Sequence, residues 1–472
     1  MGASRIGVVG MAVMGKSLAL NIADNGFQVS VYNRSEGKTK EAVAEDRTGN
    51  IQGYFSLEEF IDSLESPKNI LLMVKSGVPV DGMIDRLFPF LHEGDLIIDG
   101  GNSYFKDTVR RANALEKKGI HFFGMGVSGG EEGARRGPAI MPGGDRKAYE
   151  RVRDILEAIS AKAEDGEPCC KYTSSDGAGH YVKMVHNGIE YADMQIIAEG
   201  SVVMKQILGM DNRQMSEAFR HYNEGPLESY LIEITANLLQ EPDDMGNGFL
   251  VDKILDSAEQ KGTGKWTNLE AVDLGVNTSI LAAGLNARIL SSQKAERIQA
   301  AKIYSEEVPS LNLDKGKVLK ELEGALLAAK IMSYAQGFAL YRKAAESYGW
   351  DFNYREIASI FRAGCIIRAR LLYDLMEEFG KNNDLVNIML SESFAKKLHA
   401  CVPGLRKVVS YCIAQGIACP AMSAALSYFD AYCTENSEAN IIQAQRDYFG
   451  AHTYQRNDGR EGYFHHAWVE NI

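Results

Sequence analysis

The chain reads as a doubly wound, mostly parallel α/β sheet, then a large all-helical domain, then a C-terminal tail. Three observations carry that reading. Short β-type runs alternate with helical stretches over about the first third of the 472 residues, and strand-type patterning nearly vanishes after Asp176-Gly-Ala-Gly179. From about Asn436 the chain is rich in aromatics and poor in aliphatic partners for them. Alternating strand and helix builds a parallel sheet whose ligands lie beyond the carboxyl ends of its strands. The expected domains are residues 1–177, 178–435 and 436–472.

Arg5-Ile-Gly-Val-Val9 is the first strand, and a helical run from Lys16 to Asn25 follows it. Between them lies Gly10-Met11-Ala12-Val13-Met14-Gly15, a Rossmann-type dinucleotide fingerprint with Ala12 in the middle glycine position. Gly10 allows the tight turn, Ala12 is small enough for close approach of a pyrophosphate, and Gly15 lets the helix pack on the strand. The second strand, Gln28 to Tyr32, ends in Asn33-Arg34-Ser35, with no carboxylate until Glu36. An acid there would hold the ribose 2′-hydroxyl of NAD. Arg34, with Asn33 and Ser35 as hydrogen-bond donors, suits a 2′-phosphate, so NADP is the expected cofactor.

Further strands are expected at Ile70 to Val74, Leu96 to Asp99 and His121 to Gly124. The segments after them are Val74-Lys75-Ser76, Asp99-Gly-Gly-Asn102-Ser103 and Gly124-Met-Gly-Val-Ser128-Gly129-Gly130. Glycines in that position let backbone N–H groups approach an anion.

The helical domain opens with the most informative stretch, GHYVKMVHNGIEY. Lys183, His186, Asn187, Glu190 and Tyr191 recur at the spacing that normally carries the apolar face of a helix. Val182, Val185, Ile189, Ala192 and Ile196 form a separate stripe that can seat it. A solvated surface helix is the plain alternative. His, Asn and Tyr in one row, without a run of Glu–Lys pairs, favour a ligand-facing stripe. Further on, Ala198-Glu-Gly200, Gly209-Met-Asp211 and Phe219-Arg220 are echoed by Ala335-Gln-Gly337, Gly349-Trp-Asp351 and Phe361-Arg362, which fits a duplicated helical bundle. Between the copies, Lys261-Gly-Thr-Gly-Lys-Trp266 fails the nucleotide phosphate-loop pattern, because Trp266 stands where Ser or Thr is required. It reads equally as a loop delivering Lys261 to an anion or as a structural turn. Arg288 lies in an otherwise apolar helical run and needs a partner. The tail's Tyr448, Phe449, Tyr463, Phe464 and Trp468 should lie on another surface, such as a second subunit.

A net charge of −12 argues against a nucleic-acid surface, although local basic clusters can still focus a field on a small anion. Apolar runs are too short to span a membrane, and the N-terminal residues enter a strand at once without a signal-peptide pattern, so a cytoplasmic location is expected. The seven cysteines lack zinc-type spacing, and His465-His466 lack companion ligands, so no metal site is expected.

Together the motifs GMAVMG, YNRS, DGGNS, MGVSGGEEGARRGP, KMVHNGIEY, KGTGKW and QRDYFGAHTY closely resemble the 6-phosphogluconate dehydrogenase family, within the wider β-hydroxyacid dehydrogenases. The resemblance spans essentially the whole chain. It implies oxidative decarboxylation of 6-phosphogluconate by NADP+ to ribulose 5-phosphate without a metal, by a homodimer whose tails complete each other's sites. It makes Lys183 the general base and Glu190 the general acid. It places Asn102, Ser128, Gly129, Gly130, His186 and Asn187 around the substrate's carboxylate and hydroxyls. Tyr191, Lys261, Arg288, and Arg446 with His452 from the other subunit, would hold the phosphate. Ala12, Met14, Asn33, Arg34, Val74, Lys75 and Asn102 would line the cofactor. The competing readings are another β-hydroxyacid dehydrogenase, or an NADP-binding regulator that has lost catalysis; the second would be expected to lack Lys183 or Glu190.

Overall fold

A computed structural model describes residues 3–259, 262–304 and 311–468. Its strands are β1 (Ile6–Val9), β2 (Val29–Tyr32), β3 (Ile51–Tyr54), β4 (Asn69–Leu72), β5 (Leu96–Asp99), β6 (His121–Ser128) and β7 (Ala139–Gly144). They form one sheet in the order β3-β2-β1-β4-β5-β6-β7. All neighbours are parallel except β6 and β7. Val8 of β1 pairs with Val31 on one side and Leu71 on the other, so the strand order reverses at β1. That reversal opens the crevice in which doubly wound sheets bind ligands. Helices cover both faces: Leu18, Ile22 and Ile155 bury one, Phe60, Ile84 and Leu87 the other.

Two strands depart from the sequence reading. In β3, Ile-Gln-Gly-Tyr has only Ile51 buried, so no apolar run announced it. In β7, Pro142 and two glycines read as a turn, yet the strand closes the sheet. Its antiparallel pairing from Phe123↔Gly144 to Ser128↔Ala139 extends β6 four residues past Gly124. Most of the segment expected to be a ligand loop is therefore strand, and only Gly129 and Gly130 turn, both with positive φ.

Among the described residues every named element after β7 is helical. The polar helix Ala178–Val202 is buried between β6 and β7 on one side and the helices Thr263–Asp273, Ser279–Ser292 and Lys315–Tyr348 on others. The internal echo has a structural counterpart. Each long helix is followed by a left-handed glycine, Gly209 (φ 60°) or Gly349 (φ 70°). A short helix follows, N-capped by Asp211 in one case and Asn353 in the other. No helix among the described residues is long and apolar enough to cross a membrane.

The chain divides into two compact units between Ala425 and Leu426. The second contains the helix Ala439–Gly450 and folds partly on itself. Tyr454 and Phe464 exchange backbone hydrogen bonds of 2.8 Å in both directions. Asp447, fully buried, accepts from Thr453 N, His465 Nδ1, His466 N and Trp468 Nε1. Tyr448, Phe449 and Tyr463 nonetheless stay 58%, 72% and 76% exposed.

Candidate active site

The polar stripe is not a solvated face. Lys183 is 6% exposed, His186 0%, Asn187 8% and Tyr191 6%. The apolar stripe Val182, Val185, Ile189, Ala192 and Ile196 is buried as well. Such close packing needs missing side chains opposite. A Cβ on Gly126 of β6 would lie 2.5 Å from Lys183 Cβ, and one on Gly264 would lie 2.7 Å from the Tyr191 ring. Tyr341 donates to the Val182 carbonyl (2.8 Å) and Thr267 to that of Met184 (2.7 Å), so both neighbours of Lys183 in the backbone are pinned.

Around the imidazole of His186 the groups converge. Ser128 Oγ lies 3.2 Å and Cys365 Sγ 2.9 Å from Nε2, while Asn187 Oδ1 lies 3.0 Å and Lys183 Nζ 3.4 Å from Nδ1. Glu190 Oε2 is 3.6 Å from the same Nδ1. Asn187 donates through Nδ2 to Thr263 Oγ1 at 2.8 Å, which orients its amide. Arg288 finds the partner its apolar setting demands: its guanidinium lies 3.6 Å over the Tyr191 ring and donates to the Glu259 carbonyl.

Burial drives the titrating groups toward neutrality. Desolvation pulls the Lys183 ammonium below the ordinary lysine range, opposed only in part by Glu190 and Cys365. Among the described residues desolvation is the cause that lowers it. Desolvation also raises the Glu190 carboxyl against the pull of Lys183 and Arg288. His186 is held well below its usual value by burial and then by Lys183. The site thus holds an amine that can accept a proton and a carboxyl that can give one.

The crevice at β1 fits an NADP-type dinucleotide. Gly10 has φ 102°, and a Cβ there would lie 2.5 Å from the Met73 carbonyl just past β4. The helix Val13–Asp24 starts at Ala12 with no side-chain cap and no acid in its first turn, leaving N–H groups for phosphate oxygens. Asn33 accepts from Met11 N at 3.0 Å and donates to the Ser35 carbonyl at 3.1 Å. It braces the fingerprint turn, a task in addition to the donor role expected of it. Ser35 starts the next helix, and Arg34 and Lys75 are exposed without ion pairs among the described residues, beside half-buried Val74. Asn102 is exposed on a loop shaped by buried Asp99, which accepts from Gly101 N (3.0 Å) and Ser103 Oγ (2.6 Å). Gly129 and Gly130 follow Ser128 at the surface.

The chain matches the model of the 6-phosphogluconate dehydrogenase NAD-binding domain over residues 5–173 and that of the C-terminal domain over 179–468. The chain belongs to the 6-phosphogluconate dehydrogenase family. It is 52% identical to the NADP(+)-dependent, decarboxylating 6-phosphogluconate dehydrogenase of Bacillus subtilis, with 100% of both chains covered. Identity to the decarboxylating enzyme of Escherichia coli K12 is 50%, again over 100% of each. The Plasmodium falciparum 6-phosphogluconate dehydrogenase, solved as apo form and with NADP+ or 6-phosphogluconate, superimposes with a TM-score of 0.95 at 44% identity, covering 98% of this chain and 100% of that one.

For this family member the structure gathers Ser128, Lys183, His186, Asn187, Glu190, Tyr191 and Arg288. Lys261 lies outside the described residues. Arg446 and His452 belong to the second unit, where both are exposed; Arg446 donates to Gln443 and His452 meets Phe449 edge to face. Sequence reasoning missed Cys365 and Thr263. Thr263 stood inside the quoted KGTGKW motif, whereas nothing in the sequence around Cys365 points to His186. Among the described residues no three His, Cys, Asp or Glu side chains are grouped to hold a metal ion.

Proposed function

We propose that the chain oxidatively decarboxylates 6-phospho-D-gluconate with NADP+, producing D-ribulose 5-phosphate, CO2 and NADPH. The observation that carries this reading is a pair of groups on one face of one helix, buried Lys183 and half-buried Glu190, both driven toward neutrality by desolvation. Membership of the family, at half identity over the full length, supports it.

Gly10 to Gly15, Asn33, Arg34, Ser35, Val74, Lys75 and Asn102 are assigned to NADP+, which supplies the hydride acceptor when bound. Neutral Lys183 takes the proton of the hydroxyl on the carbon β to the carboxylate as that carbon is oxidised. The β-keto acid so formed loses CO2 because the ketone draws in the released electron pair. Protonated Lys183 returns its proton to the ketone oxygen, leaving an enediol. Glu190, whose carboxyl desolvation makes a more ready proton holder than an ordinary glutamate, gives its proton to the carbon that lost CO2. Asn102, Ser128, Gly129, Gly130, His186 and Asn187 orient the carboxylate and hydroxyls. Tyr191, Lys261 and Arg288 are assigned to the phosphate, together with Arg446 and His452 from the tail of a second copy. The exposed aromatics of that tail support its burial in a homodimer.

The test follows NADPH absorbance and released CO2 together after mixing the protein with 6-phosphogluconate and NADP+. Equal amounts of both are expected. NADPH without CO2 would replace this reading by a simple β-hydroxyacid dehydrogenase.

A further inference from the structure

The helix Thr263–Asp273 touches the site at both ends, and its far end does something the chemistry above does not use. At its start Thr263 holds Asn187, Thr267 holds the Met184 carbonyl, and Gly264 receives the Tyr191 ring. At its other end stands Glu270, a carboxylate with no exposed surface. Its Oε1 accepts from Lys106 Nζ at 2.5 Å and from the Tyr104 hydroxyl at 3.1 Å, and Oε2 accepts from the Tyr348 hydroxyl at 2.7 Å. Trp266 of the same helix stacks on Tyr104, with ring centroids 5.1 Å apart.

Tyr104 and Lys106 directly follow the Asp99–Ser103 loop that carries Asn102. Tyr348 closes the long helix Lys315–Tyr348. One short helix, roughly 16 Å long at 1.5 Å per residue, therefore joins the Lys183 helix to the segment that presents Asn102. Asn102 is assigned above to both cofactor and substrate, so its placement against Lys183 bears on the distance over which hydride and proton move. A buried carboxylate is retained at such a cost only when its partners are fully engaged, and here three donors meet it.

We propose that Glu270 is a positioning residue: by gripping Tyr104, Lys106 and Tyr348 it holds the Asn102 loop in register with the Lys183–Glu190 helix. The proposal rests on the functional reading above. Glu270 is fully buried and its carboxylate is taken up by Lys106, Tyr104 and Tyr348, so its removal acts on alignment rather than on affinity. A misplacement of about 1 Å can cost about 10²-fold in rate.

The experiment compares the full-length wild type with Glu270→Gln and Tyr348→Phe, measuring kcat, both KM values and the pH profile with 6-phosphogluconate and NADP+. Glu270→Gln should lower kcat by about 10- to 100-fold, with both KM values and both limbs of the pH profile essentially unmoved. Tyr348→Phe should move kcat the same way by less. Unchanged kcat in Glu270→Gln, or raised KM values with kcat intact, overturns the proposal. Should Glu270→Gln not fold, Tyr348→Phe decides by the same criterion. A wild type inactive on these substrates removes the functional reading and this proposal with it. An active wild type with unchanged variants removes the proposal alone.

Discussion

Replacing Lys183 with methionine should make the protein more stable while nearly abolishing turnover. Lys183 Nζ is buried with His186 Nδ1 at 3.4 Å as its hydrogen-bond neighbour, and no carboxylate lies within 4.0 Å of it as an ion-pair partner among the described residues. Burial has lowered its pKa from the ordinary 10.5. The unfolded chain carries this proton up to about pH 10.5, whereas the folded chain sheds it at lower pH. Stability is therefore lost as pH falls from the unfolded value to the folded one, and stays lost below that. Methionine has nearly the same shape and no charge. Replacing buried ionic groups by apolar ones of similar volume gains about 1–4 kcal/mol in favourable cases. With unfolding entropy near 2.1 cal/mol/K per residue over the unit ending at Ala425, each kcal/mol moves Tm by ~1 °C, so a rise of about 1–4 °C is expected. The gain should be full once pH lies below the lowered folded-state value and should shrink as pH rises from there toward 10.5. Loss of an acid–base group should lower kcat by about 10²- to 10⁴-fold. Calorimetric melting across pH, beside NADPH formation, reads both effects. A Tm that falls in Lys183→Met at neutral pH, or a gain that persists unchanged to pH 10.5, would refute the desolvation argument.

Glu190→Gln keeps the shape of the protonated carboxyl but has no proton to give, so kcat should drop by about 10²- to 10⁴-fold with KM little changed; normal turnover removes Glu190 from the mechanism. Because burial lowers Lys183 and raises Glu190, activity should fall on the acid side as Lys183 is protonated and on the alkaline side as Glu190 ionises. Loss of the alkaline limb in Glu190→Gln checks that assignment. Arg34→Ala should weaken NADP+ by about 1.5–3 kcal/mol and leave NAD+ almost untouched; equal losses on both would end the 2′-phosphate reading. Arg446→Ala should raise KM for 6-phosphogluconate by a similar ~1.5–3 kcal/mol, and an unchanged KM would take the tail out of the site.

Much of the site was legible because it is written into one helix. Lys183 to Tyr191 share a face by helical spacing alone, and the Gly10–Gly15 turn has its own local chemistry. What stayed hidden depends on contacts between segments remote in sequence. Cys365 reaches His186 across 179 residues, and Glu270 reaches Tyr104 across 166. No local pattern records such a meeting. β7 was hidden for a different reason: Pro142 and its glycines carry turn chemistry, and pairing with β6 overrides it. Asn33 looked like a phosphate donor at the end of a strand, but its added bracing role appears only once Met11 lies beside it.

The missing side chain at Gly126 has a mechanical corollary. Lys183 is seated against β6 with no room between them, so the amine belongs to the same rigid piece as the sheet that carries the dinucleotide crevice. A side chain at Gly126 would push the amine away from the sheet, so this glycine sets how close the proposed base sits to the dinucleotide crevice.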